Sequence, residues 1–217
     1  MQEKLRAYLD EVLRANREFN LTAVRDPETA WSKHVLDSLQ GLEVAGLFDG
    51  TKRVVDVGTG AGFPGMILAI ARPELSVTLL DATRKKCNFL EAAARDHAPN
   101  VTVICGRAEE AGHEHKMRAQ FDIAVARAVG SFTEICELCL PLVKVGGKLL
   151  LWRGQDAAGE IEASQKALKM LGGRARVVAS YYLPDHEMQY HLTMVEKQRS
   201  TPGIYPRRVG LPKHQPL

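Results

Sequence analysis

The stretch VVDVGTGAGFPG, Val54–Gly65, decides the fold. Val54 to Val57 is an apolar-framed run of the kind that a parallel sheet buries on both faces. Gly58, Gly60, Gly62 and Gly65 follow in a short turn, and Met66 to Ala71 read as a helix packed on the sheet. Strand, glycine turn and helix form the unit with which a doubly wound α/β fold brings bare backbone against a nucleotide-like ligand. The expected fold class is therefore α/β.

Beyond this unit, strand and helix patterns alternate. Strands are expected at 53–57, 76–80, 101–105, 121–126 and 147–152, helices at 64–71, 84–96, 131–140 and 156–171, and a closing strand pair at 175–182 and 190–197. Alternation at this spacing means parallel βαβ units. Seven strands with an antiparallel last pair would match, by fold analogy, the mostly parallel sheet of class I Rossmann-like methyltransferases, although alternation alone does not fix strand order. Before the sheet, apolar residues recur at Leu5, Tyr8, Leu9, Val12 and Leu13, so residues 2–18 read as an amphipathic helix. Asp26-Pro27-Glu28 reads as a helix start, and a second helix runs through Trp31, Val35 and Leu36. The expected organisation is a helical N-terminal cap (1–50), an α/β domain (51–199) and a Pro-rich tail (200–217) in one globular unit. Pro202, Pro206, Pro212 and Pro216 argue against a helix or central strand in that tail.

At 217 residues, with 45% hydrophobic and 25% charged residues, the chain can bury one good core. No apolar run approaches the roughly 18 residues that span a bilayer, and the start MQEKLRAYLDE has no signal-peptide pattern. Cys87, Cys105, Cys136 and Cys139 lie in apolar segments, which fits a reducing cytoplasm. From Lys197 onward the chain carries five cations and no acid, so the net charge of +3 leaves the first 196 residues at −2. A tail so charged either meets a polyanion or is simply solvated.

The loop discriminates between nucleotides. A dinucleotide fingerprint, G-x-G-x-x-G, would place its third glycine at position 63, which is Phe63. Dinucleotide enzymes set a diphosphate on the helix N-terminus; S-adenosylmethionine has no phosphate and needs backbone approach and hydrogen-bond acceptors instead. Asp56 suits an ammonium group, held directly or through water. Asp81, about 20 residues after the glycines, suits ribose hydroxyls under either cofactor; its alternative role is a helix cap before Thr83-Arg84-Lys85-Lys86. The loop alone favours S-adenosylmethionine, bound by Asp56, Gly58, Gly60 and Asp81, over an NAD(P)-dependent Rossmann oxidoreductase.

GAGFPG at Gly60–Gly65, LLDATRKKCNFL at Leu79–Leu90, GRAEEA at Gly106–Ala111, ARAVGS at Ala126–Ser131 and the terminal YPRRVGLPKHQPL together resemble the bacterial small-subunit ribosomal RNA guanine-N7 methyltransferases, also called glucose-inhibited division protein B. Asn16, Asn20-Leu21-Thr22, His34 and Asp37-Ser38-Leu39 agree as well, so the resemblance spans nearly the whole chain. It implies methyl transfer from S-adenosylmethionine to N7 of one guanine in the 530 loop of 16S rRNA (position 527 of that RNA), with 16S rRNA or a 30S particle as partner, no metal, no membrane, and a monomer. It also implies cofactor contacts at Gly58, Phe63 and Arg127, an adenine side at Ala108 and Glu109, and Arg127 as the catalytic residue on the substrate side. Two positions depart from the family pattern: Lys213 follows Pro212 directly, with His214 in the usual lysine place, and Arg153-Gly154 stands where relatives often have Lys-Gly.

Guanine N7 has a lone pair and no proton to lose, so its methylation needs no general base and rests on positioning. Arg127, at the end of the fourth expected strand, could hold guanine O6 or a phosphate, or form a strand-end salt bridge; Arg127→Ala is expected to lose most activity and leave the fold intact. N7 lies in the major groove, which in A-form RNA is too narrow for side chains, so the target must be unstacked. Tyr205 beside Arg207 and Arg208 is either a stacking ring for that RNA or a strap over the core. Cys136-x-x-Cys139 falls on a helix pattern and reads as core packing, and His113-Glu114-His115 as a solvated stretch. Arg84-Lys85-Lys86 reads as a solvated helix face or part of an RNA-binding rim. An RNA-binding protein with a degenerate site is the remaining alternative, opposed by Asp56, Gly58, Gly60 and Asp81.

Overall fold

The apolar runs become strands. In the computed structural model, which describes residues 1–127, 130–184 and 186–217, seven strands form one sheet: β1 (Arg53–Val57), β2 (Ser76–Asp81), β3 (Val101–Cys105), β4 (Phe121–Arg127), β5 (Val143–Arg153), β6 (Gly173–Tyr182) and β7 (Gln189–Lys197). Their order is β3-β2-β1-β4-β5-β7-β6. β1 to β5 pair in parallel, and β7 pairs antiparallel with both β5 and β6. The strand order reverses between β1 and β4, which opens a crevice beyond their carboxyl ends, the usual ligand position in such sheets. The glycine turn leaves the end of β1 and Arg127 ends β4, so both sit at that crevice.

Alternating strand residues feed two cores. Val54, Val77, Leu79, Ile123, Val125 and Leu150 face one side, where they meet Leu5, Tyr8, Leu9 and Val12 of the first helix, Gln2–Ala15. Val55, Val57, Leu80, Ala124, Leu149 and Leu151 face the other, under the helix Phe132–Cys139. Cys136 and Cys139 are fully buried there, as packing residues.

Several expected boundaries move for physical reasons. The first helix stops at Ala15, because the Asn16 Oδ1 accepts the N–H groups of Leu21 and Thr22 and turns the chain. The helix expected over 156–171 is two helices, Ala157–Ala163 and Gln165–Leu171. The break falls at buried Ser164, whose hydroxyl hydrogen-bonds Thr133 at 2.8 Å. The tail, expected to hold no helix, forms one turn at Leu211–His214 with Pro212 in its first turn, where the missing N–H costs nothing. Asp26 does cap the second helical run, accepting the Thr29 N–H at 2.8 Å. That run passes through a π-helical segment at Trp31–Leu36, an irregularity common at functional sites. Among the described residues, no helix is long and apolar enough to cross a membrane.

Candidate cofactor and substrate site

The glycine turn is fastened from below. Asp56 is fully buried, and its Oδ2 accepts the Thr59 hydroxyl at 2.6 Å and the Gly65 N–H at 2.8 Å. Its Oδ1 is buried without a hydrogen-bond partner, and burial pushes its carboxyl up to about 6. Asp56 lines neither of the cavities described below; its observed bonds go to the loop. Gly58 and Gly60 have φ of +71° and +61°, a region that side chains strongly disfavour. A Cβ at Gly60 would find nothing nearer than 4.0 Å, so the backbone there faces open space.

Gly58 stands between two cavities. One, of about 580 Å³, is lined by Asp81, Gly106, Ala108, Glu109 and the tail residues Gly210 and Lys213 among others. The Asp81 carboxylate accepts N–H groups from Gly60 at 2.9 Å and Thr83 at 2.8 Å, so it braces the loop and the turn that precedes the following helix. A carboxylate can accept about four hydrogen bonds, which leaves capacity for a ligand. Glu109 gives one oxygen to the Gly210 N–H at 3.0 Å and thereby ties the tail to this cavity. The exposed backbone of Gly58, the open space at Gly60 and at Gly106, where a Cβ would meet nothing, and the acceptors of Asp81 and Glu109 together fit the sugar and base of S-adenosylmethionine.

The second cavity, of about 590 Å³, lies between the loop and the N-terminal cap. Its walls include Phe63, His34, Arg127, Trp152, Tyr190 and Lys86. Arg127 reaches across it: Nη1 donates to Asp37 Oδ2 and to the Lys33 carbonyl, both at 2.9 Å. Asp37 is held on its other side by the Tyr181 hydroxyl, and its carbonyl accepts the Trp152 indole N–H at 2.7 Å. The His34 ring stacks on Phe63 with centroids 4.7 Å apart, and its Nε2 lies 2.8 Å from the Thr22 hydroxyl. Burial first, then the neighbouring Arg127 cation, lower the imidazole to about 4, so His34 is neutral near pH 7. The guanidinium also sits 5.5 Å from the Phe63 ring centre. Phe63 therefore carries His34 and Arg127 together, linking the glycine loop to the cap. Of the ARAVGS stretch, Ala128 and Val129 lie outside the described residues.

The profile of the family described as "rRNA small subunit methyltransferase G" (GidB) matches residues 1–189. The chain belongs to this family. The ribosomal RNA small subunit methyltransferase G of Synechococcus elongatus is 42% identical over 217 residues, covering 100% of this chain and 90% of that protein. That of Symbiobacterium thermophilum is 41% identical, covering 99% and 89%. Among solved structures, a T. thermophilus 16S rRNA N2 methyltransferase in complex with AdoMet and guanosine superposes with a TM-score of 0.54 at 20% identity, covering 82% of this chain and 40% of that one. The fold is that of class I S-adenosylmethionine-dependent methyltransferases, and the chain is an S-adenosylmethionine-dependent rRNA methyltransferase. The nicotinamide-oxidoreductase reading of the loop is thereby set aside.

In this family member the tail is a strap. Tyr205 is 5% exposed, so its ring is not offered for stacking. Arg207 forms a two-pronged ion pair with Glu137, which is itself fully buried, through Nε at 2.9 Å and Nη2 at 2.7 Å. Arg118 donates to the carbonyls of Tyr205, Thr201 and Pro202. Lys197, counted with the basic tail in the sequence, is buried and donates to the carbonyls of Leu140 and Val143. Arg199, Arg208 and Lys213 remain exposed. Sequence reasoning missed Trp152 and Tyr190, which line the second cavity, and Tyr181, which packs on Tyr190 and holds Asp37. The carboxyl-end position of Trp152 on β5 was the available signal; for the two tyrosines only the antiparallel pairing of β6 and β7 brings them there.

Proposed function

We propose that this enzyme transfers a methyl group from S-adenosylmethionine to N7 of a guanine in the 530 loop of 16S rRNA, with the adenosine end seated by Gly58, Gly60, Asp81, Ala108 and Glu109. The observation that carries the reading is the division of space by the glycine loop. An acceptor-lined cavity lies on one side, and an aromatic cavity with cations at Lys33 and Lys86 lies on the other. Bound S-adenosylmethionine supplies an electrophilic methyl group on a sulfonium. The protein's part is positional. Asp56 holds the loop through Thr59 and Gly65, and the Arg127–Asp37 pair fixes the cap against the end of β4. Both nitrogens of neutral His34 lie against Thr22 and Arg127, which suits a reaction in which no proton is abstracted. The cations around the second cavity favour phosphate, and its aromatic walls favour an unstacked base.

The test is methyl transfer from labelled S-adenosylmethionine to 30S particles and to naked 16S rRNA that lacks the modification, with mapping of the modified base. Label at guanine N7 in the 530 loop is expected. Label elsewhere, or in neither substrate, would refute the assignment, and the preferred substrate tells whether free RNA or an assembled particle is recognised.

A further inference from the structure

We infer that Tyr190 is the stacking face for the target guanine, a specificity-determining residue of the substrate cavity; the inference rests on the function proposed above. Three aromatic rings besides His34 line that cavity. Phe63 is 6% exposed and covered by His34, while Trp152 is 5% exposed with its indole N–H bound to Asp37. Neither has a face to spare. Tyr190, at the start of β7, is only half-buried. One side of it rests on Tyr181, with centroids 6.0 Å apart and planes 22° from parallel, and His186 meets it edge-on at 6.2 Å. Tyr181 is in turn fixed by its hydroxyl to Asp37, the partner of Arg127.

This places a ring backed by Tyr181 on the wall of the cavity that also holds Arg127 and the glycine loop. A base extruded from RNA needs such a platform, because the lost base stacking must be replaced. A tyrosine backed by a second ring offers it with little side-chain entropy to lose. Arg127 and the cations Lys33 and Lys86 line the same cavity, within the same enclosure as a base lying on Tyr190.

The experiment compares Tyr190→Phe, Tyr190→Leu and Tyr190→Ala in the full chain. It measures steady-state methyl transfer to 30S particles, S-adenosylmethionine affinity by titration calorimetry, and thermal unfolding. Stacking on one aromatic ring is expected to be worth about 10- to 100-fold in kcat/KM for RNA. Tyr190→Phe should stay within about twofold of wild type, since the ring remains. Tyr190→Leu keeps an apolar cover over Tyr181, so it should fold and bind S-adenosylmethionine normally yet lose the stacking share. Equal kcat/KM for the Phe and Leu variants would overturn the inference, as would a loss in Leu and Ala that tracks cofactor affinity or unfolding temperature. Absence of transfer by the wild type itself would instead refute the underlying function.

Discussion

Arg127 and Asp37 are 90 residues apart in sequence and joined at 2.9 Å, across the boundary between sheet and cap. Their side chains are 13% and 8% exposed, so the pair is largely withdrawn from water. Arg127 was expected to be dispensable for folding, but this pairing ties it to the structure. Removing one member of such a pair strands the other and costs about 3–5 kcal/mol.

Arg127→Met and Asp37→Asn should therefore each lower unfolding free energy by about that amount, whereas the double variant Arg127→Met/Asp37→Asn should recover much of it. Methyl transfer should remain lost in the double variant. Denaturant unfolding and a transfer assay on the same four proteins check both points. Activity that returns with stability would reduce Arg127 to a scaffold residue.

The tail strap makes a second prediction. Glu137→Gln leaves Arg207 with a weaker partner and should loosen residues 203–217, seen as new cleavage sites in limited proteolysis. Because Gly210 and Lys213 line the cavity at Asp81, deleting 203–217 should weaken S-adenosylmethionine binding by about tenfold, roughly 1.4 kcal/mol. Unchanged cofactor affinity in the truncated protein would show that the tail only covers the core.

Gly65 makes a third. A Cβ there would fall 2.5 Å from Leu79 Cδ2 and 2.8 Å from Asp56 Oδ2, so Gly65→Ala must lift the loop. It should destabilise the protein by about 1–3 kcal/mol and weaken cofactor binding at least tenfold. Gly46→Ala is the control: its φ is +70° but nothing lies within 4 Å, so it should cost about 1 kcal/mol and leave cofactor binding alone. Similar cofactor affinities for the two variants would separate Asp56 from loop shape.

The parts of this molecule that were legible in advance are those set by local pattern. The β1 run, the glycine turn and the Asp26 cap are each fixed within a few residues, by apolar framing, by positive φ or by a side-chain acceptor. The parts that escaped depend on partners far along the chain. Arg207 looked like one more tail cation, because nothing near it announces a fully buried Glu137 70 residues earlier. Lys197 likewise reads as basic surface until β5 and the preceding turn supply carbonyls to its ammonium. At the site, Phe63 was legible as a loop residue, but its stacking on His34 requires the cap to be docked, and no periodicity encodes that.

His34 offers a direct readout of that docking. Its imidazole, ordinarily near 6.5, is lowered to about 4 in the folded protein, chiefly by burial and then by Arg127. A depressed folded value means that the unfolded chain binds the proton more readily. The stability this supplies is thus complete above about pH 6.5 and lost as the pH falls towards 4. Asp56, pushed up to about 6 from an ordinary 3.8, works the other way: its share is complete below about pH 3.8 and lost as the pH rises through 6. The two slopes oppose one another between pH 4 and 6, so global unfolding alone would blur them. The His34 ring proton in NMR separates them, and its titration midpoint should lie well below 6 in the wild type. In Arg127→Met it should move upward, since the nearby cation is gone while the ring stays packed on Phe63. A wild-type midpoint at or above 6 would mean that the imidazole is solvated and that the cap does not close on the glycine loop.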